Sequence, residues 1–158
     1  MNPVDQVASQ LRARGQKIAT AESLTGGLLA SKLTELPRAS DFFSGGFVTY
    51  SIDSKTSLLG IKRELIEGEG VFSRAVAIAM ADSARNLLGS DWALATTGVA
   101  GPGPSRSIPA GQVWIALASH ELSTPIARQL TLGEIGRGAV RAASVQAALE
   151  ILLEELLR

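Results

Sequence analysis

The stretch Lys17–Ser31, KIATAESLTGGLLAS, constrains the fold of this chain more than any other. An apolar run ending at Ala21 leads into Glu22, Ser23 and Thr25, then into Gly26-Gly27, then into the apolar start of a helix. The order is strand, tight turn, helix. In an open α/β sheet such a turn lies at the carboxyl end of a strand, where ligand crevices form, and glycines there let backbone N–H groups approach a bound group. Ser23 would stand at the mouth of the crevice. The alternative is a plain helix cap by the hydroxyl of Ser23 or Thr25.

The other segments alternate strand and helix in the same way. Val4, Val7, Ala8 and Leu11 share one helical face, closed by Gly15, giving a helix over 3–14. Lys17–Ala21 is the first strand and Gly27 to about Leu36 the second helix. Ser44-Gly45-Gly46 reads as a turn, and Phe47–Tyr50 as the second strand. Ser51 caps a short helix that closes at Gly60 and carries Lys55, and Arg63–Glu67 is another short helical piece. Ser73 opens a long helix stopped at Gly89, with Val76, Met80, Ala84 and Leu87 on one face. Trp92–Thr96 is apolar almost throughout, as expected of a central strand. It runs into Thr97-Gly98 and a Gly-Pro loop through Pro104. Gln112–Ala118 and Thr124–Thr131 pair as an antiparallel hairpin, and Gly138–Arg158 is the closing helix. These elements predict a single α/β domain over residues 1–158, with a mixed, mostly parallel sheet between helix layers. The leucine-rich tail of the last helix is expected either to join a homo-oligomer, a dimer first of all, or to pack on its own chain.

Composition narrows the chemistry. Fifteen basic residues balance fifteen acidic ones over 158 residues, and no segment collects Lys or Arg, so the electrostatic footprint of a nucleic-acid binder is missing. No run of 18 apolar residues occurs, and no leader is read at the start, so the cytoplasm is expected and no membrane partner. There is no cysteine, hence no thiol nucleophile or thiolate metal site. The single histidine, His120, falls in a turn between two strands, which argues against a Ser-His-Asp triad and a histidine-based metal centre. A serine nucleophile would then need another base, and a lysine of lowered pKa serves in Ser-Lys hydrolases. Three features converge at the predicted strand ends: Ser23 with Thr25-Gly26-Gly27, Tyr50 with Lys55, and Thr97-Gly98 with its loop.

Thr20–Gly27 (TAESLTGG), Gly46–Ser51 (GFVTYS), Lys55 and Thr97–Pro102 (TGVAGP), in this order and with these gaps, resemble the CinA C-terminal domain family, which includes stand-alone nicotinamide-mononucleotide deamidases. The resemblance runs over essentially the whole chain. It implies a three-layer α/β/α fold similar to anticodon-binding-type domains, and hydrolysis of nicotinamide mononucleotide to nicotinate mononucleotide and ammonia without metal or cofactor. Carried over by motif, Ser23 is the nucleophile and Lys55 the proton acceptor, with Tyr50 beside both. Thr25, Gly26, Gly27, Thr97 and Gly98 would line the pocket, and Arg137 or Arg141 would meet the phosphate. The chain departs from the family pattern at Leu24, where cysteine is usual, at Ile52-Asp53-Ser54, and in the loop 103–111. That loop is stiffer here and lacks a lysine; either Arg106 supplies the charge or phosphate binding is weaker. The second reading of the same resemblance is a catalytically inactive nucleotide-binding or assembly domain.

Overall fold

A computed structural model describes residues 1–158. The elements are α1 (Pro3–Arg14), β1 (Ile18–Glu22), α2 (Leu28–Thr34), a 3₁₀ turn (Ala39–Asp41), β2 (Phe43–Val48), α3 (Ile52–Leu59), α4 (Arg63–Glu69), α5 (Arg74–Leu88), β3 (Trp92–Gly98), β4 (Gln112–Ser119), β5 (Ile126–Thr131) and α6 (Arg137–Leu156). The sheet runs in the order β2-β1-β3-β4-β5. β1 is parallel to both β2 and β3, while β4 and β5 are antiparallel additions. The mixed three-layer architecture is the one expected.

Side-chain size decides which helices cover which face. Successive strand residues point to opposite faces, and here large and small alternate. Ile18, Trp92, Leu94, Ile115 and Leu117 pack with α1, α2 and α6, whereas Ala19, Ala21, Ala93, Ala95, Ala116 and Ala118 pack with α5. Alanines on the sheet meet Ala77, Ala81 and Ala84 of α5, so this helix can lie close to the strands. The other face has the larger volume to fill, and the long α6 fills it with Val140, Leu149, Ile151 and Leu152. In the leucine-rich tail Leu152 and Leu156 are buried within the chain and Leu157 is exposed.

The second strand differs from the sequence expectation. It spans Phe43–Val48, so Ser44-Gly45-Gly46 lies inside the strand and Tyr50 falls two residues beyond it. The cause is local. A register shift opposite Ile18/Ala19 brings Gly46 level with Thr20, and a Cβ on Gly46 would stand 2.1 Å from Thr20 Oγ1. Glycine here permits close strand approach rather than a turn. β3 also runs two residues longer than expected, to Gly98, which pairs with Val113 of β4.

Candidate active site

The carboxyl ends of β1, β2 and β3 open on one side of the sheet, and Ser23 follows β1 there. Its turn is held from several directions. The Ser23 N–H donates to Thr96 O (3.0 Å), and Thr25 Oγ1 and Thr96 Oγ1 are 2.7 Å apart. Gly26 and Gly27 take left-handed backbone angles, φ 56° and 100°, which carry the chain round into α2 without a Cβ clash. Neither Ser23 nor Thr25 caps that helix. The buried carboxylate of Glu22 does so from a distance, accepting from the N–H groups of Leu29 (2.8 Å) and Ala30 (3.1 Å). The Ser23 hydroxyl is thereby left for other work.

That hydroxyl meets Lys55. The lysine sits in α3, whose start is fixed by a reciprocal cap between Ser51 and Ser54 and whose end is Gly60 in a left-handed conformation. Its side chain is fully buried. Nζ lies 3.1 Å from Ser23 Oγ and donates to Thr49 O at 2.6 Å. No carboxylate comes within ion-pair distance, and burial alone pushes the pKa down from 10.5 to about 8. Nζ donates to both Ser23 Oγ and Thr49 O; a neutral amine has two protons for these two acceptors, whereas an ammonium has a third with no acceptor. The geometry therefore suits the uncharged form.

Ser23, Leu24, Tyr50, Phe72, Gly98 and Arg137 border a cleft of about 330 Å³, with the loop Val99–Ser105 forming its opposite wall. Such a volume lies within the range usual for small-ligand sites. Arg137, at the start of α6, donates through Nη1 to Gly101 O and through Nη2 to Tyr50 OH, both at 2.8 Å. It thus ties the β2–α3 connection to the Gly-Pro loop.

Of the residues the sequence singled out, Ser23, Tyr50, Gly98 and Arg137 border the cleft, and Lys55 lies behind Ser23. The remainder support the cleft from outside. Thr25 is buried against Thr96, and Thr97 donates to Val71 O at 3.0 Å. Gly26 and Gly27 shape the turn. Arg141 braces it by donating to Leu24 O (3.1 Å) and Thr25 O (3.0 Å). The exposed His120 lies in the β4–β5 turn, as read from the sequence.

The backbone supplies donors that sequence reasoning placed elsewhere. Gly26 N–H is already bonded to Ser23 O, while the N–H groups of Leu24, Ala100 and Gly101, all on the cleft border, have no protein acceptor. Leu24 directly follows the serine, the position that supplies an oxyanion donor in nucleophile-elbow hydrolases.

No group of three His, Cys, Asp or Glu side chains is placed to hold a metal ion. No helix is long and apolar enough to cross a membrane.

Residues 2–156 match the family described as the CinA C-terminal domain. Among curated relatives, a putative competence-damage inducible protein from Limosilactobacillus reuteri is 42% identical over 150 residues, and a CinA-like protein from a Synechococcus species 45% over 151 residues. Each alignment covers 95% of this chain but 36% of the relative, so the chain spans about a third of the length of the curated relatives it matches. Solved structures agree in fold. A competence-damaged protein (CinA) superfamily protein from Klebsiella pneumoniae superposes with a TM-score of 0.92 at 32% identity, covering 99% of both chains. A competence/damage inducible protein from Agrobacterium tumefaciens gives 0.89 at 35% identity, covering 100% of this chain and 98% of that one. With a family match from end to end and whole-chain structural relatives above 30% identity, this chain belongs to the CinA C-terminal domain family.

Proposed function

We propose that the protein is an amidohydrolase that cleaves the carboxamide of nicotinamide mononucleotide, with Ser23 as nucleophile and Lys55 as general base. The observation that carries this reading is the buried, unpaired Lys55 Nζ 3.1 Å from Ser23 Oγ. A fully buried lysine without a carboxylate is costly to maintain for structure alone, and its lowered pKa of about 8 matches the task of a base near neutral pH.

The steps follow from these groups. Lys55 takes the Ser23 proton as Oγ bonds to the carbonyl carbon, and the N–H groups of Leu24 and of the Ala100-Gly101 wall receive the charge that develops on oxygen. The carbon–nitrogen bond then breaks, and the lysine ammonium returns its proton to the leaving group, which departs as ammonia. Water, deprotonated by the same amine, hydrolyses the acyl-serine and releases the carboxylate product. Arg137 fixes Tyr50 and the loop on either side of the substrate.

A second reading is a non-catalytic domain of a longer assembly, favoured by the relatives' length, of which this chain matches about 36%. Ammonia release from nicotinamide mononucleotide by the purified protein separates the two. Under the first reading Ser23→Ala abolishes release while nucleotide binding persists, and Lys55→Arg loses at least about a hundredfold, since a guanidinium stays charged. Substantial turnover by Ser23→Ala would refute the covalent route.

A further inference from the structure

We infer that Phe72 is a specificity-determining residue of the Ser23 cleft, its ring forming the partition that limits the substrate's acyl group to a single planar ring; the amidase reading is needed only to call the bound group an acyl group. The cleft of about 330 Å³ that Ser23 borders is at the small end of the range for ligand sites, about 300–1,000 Å³. Two larger cavities adjoin it, of about 430 and 560 Å³. Phe72 is the one residue that borders all three. Tyr50 borders the cleft and the cavity of about 430 Å³. Of the two Trp, one Tyr and four Phe side chains in the chain, only Tyr50 and Phe72 stand on the border of the cleft. The space open to a group bound at Ser23 therefore ends at two aromatic rings, with more room behind them than in front.

A partition selects by size only if it is held in place, and both rings are. The Tyr50 hydroxyl accepts from Arg137 Nη2 at 2.8 Å. Phe72 lies in the short connection between α4 and α5, and the backbone is fixed on either side of it. Before it, the buried Thr97 Oγ1 donates to Val71 O at 3.0 Å, which ties the connection to the end of β3 beside Gly98 on the cleft border. After it, Ser73 Oγ donates to Gly70 O at 2.7 Å and accepts from Val76 N–H at 3.3 Å, capping α5. The ring itself is half-buried and packs on the α5 side of the core. Its place is thus set by the fold before any ligand arrives, so a group too large for the cleft meets a wall that cannot move aside without breaking these bonds.

The test titrates benzamide and 2-naphthamide, uncharged amides that differ by one fused ring, into the parent protein, Phe72→Ala and Phe72→Leu. Dissociation constants are read from the backbone N–H resonances of Leu24 and Gly98. In an unpartitioned pocket the naphthyl group binds more tightly, because it buries more apolar surface. The parent is instead expected to bind benzamide at least about tenfold more tightly than 2-naphthamide; Phe72→Ala should move that ratio by at least about tenfold toward 2-naphthamide, and Phe72→Leu by less. A ring that merely supports the fold would weaken both ligands alike and leave the ratio where it was. That result overturns the assignment, as does equal binding of the two amides by the parent, or binding of neither at these resonances. If Phe72→Ala does not fold, Phe72→Leu decides alone, and an unchanged ratio in it refutes the partition. Ammonia release from nicotinamide mononucleotide by the parent is measured beside the titrations: none released, with the ratio shifted as stated, refutes the amidase reading and leaves the partition standing.

Discussion

Replacing Lys55 by Met tests the buried base through stability rather than turnover. The lysine has an ordinary pKa of 10.5 and one of about 8 in the folded protein. Between those values the unfolded chain binds more protons than the folded one, so stability rises with pH across that window and is lowest below it. At about 1.4 kcal/mol per decade the full penalty is about 3 kcal/mol below pH 7, most of which has gone by pH 10. Met is close in length and carries no charge, so Lys55→Met removes the titration while filling the space. It also leaves Thr49 O without its 2.6 Å donor, but that loss does not depend on pH. Urea denaturation of both proteins at pH 6.5 and pH 10 gives the quantity needed, the parent-minus-variant difference at each pH. The parent should gain roughly 2–3 kcal/mol on the variant between the two values. A difference constant to within about 0.5 kcal/mol would refute the depressed pKa, and with it the assignment of Lys55 as a base that is partly neutral at physiological pH. The same pKa predicts that the parent's turnover rises about tenfold per pH unit up to a plateau above about pH 8.

Gly98→Ala should destabilise the fold by about 2–3 kcal/mol, since its Cβ would meet Gln112 O at 2.5 Å and Val113 Cα at 2.6 Å, backbone that cannot yield without parting β3 from β4; a urea midpoint equal to the parent's would contradict this. Glu22→Gln keeps the shape but leaves one acceptor for the N–H groups of Leu29 and Ala30 and turns an NH2 donor toward the other, so a loss of about 1–2 kcal/mol is expected in denaturation, together with a fall in turnover as the Ser23 turn loosens. Turnover is expected to survive strong chelation, because the proposed steps use only Ser23, Lys55 and backbone donors; activity lost with EDTA and restored by a divalent cation would disprove them.

What could be read in the sequence, and what could not, follows from the range of each interaction. The helices at 3–14, 52–59 and 74–88 were legible because their signals are local: a face repeated every three or four residues, Ser51 and Ser73 before the first turn, Gly15, Gly60 and Gly89 after the last. Ser23 and Lys55 were legible as motifs, and a strand–turn–helix followed by a strand and a capped helix is enough to send both to one sheet edge. The Gly45-Gly46 pair misled, because glycine marks either a turn or a close strand contact, and the choice between them lies with Thr20 on another strand. The Glu22 cap escaped for a related reason. An ordinary side-chain cap acts within three residues, whereas this carboxylate reaches seven and eight residues forward across a turn to Leu29 and Ala30.

The same distinction separates the cleft's chemistry from its limits. The Ser23–Lys55 pair is set by two short segments that follow adjacent parallel strands, so its geometry is a local consequence of β1 and β2. The boundary is not: Arg137 reaches Tyr50 across 87 residues, and the wall facing Ser23 comes from a loop made possible by the antiparallel turn-back of β4 on β3. A chain can therefore keep Ser23 and Lys55 in place while altering that loop. Substrate choice is expected to vary with residues 103–108, and the capacity to break an amide with Ser23, Lys55 and the N–H donors of Leu24, Ala100 and Gly101. Exchange of residues 103–108 for a relative's, leaving Ala100 and Gly101 in place, tests this division: turnover of an uncharged amide should be retained while discrimination between phosphorylated and unphosphorylated substrates changes. Loss of both together would refute the division.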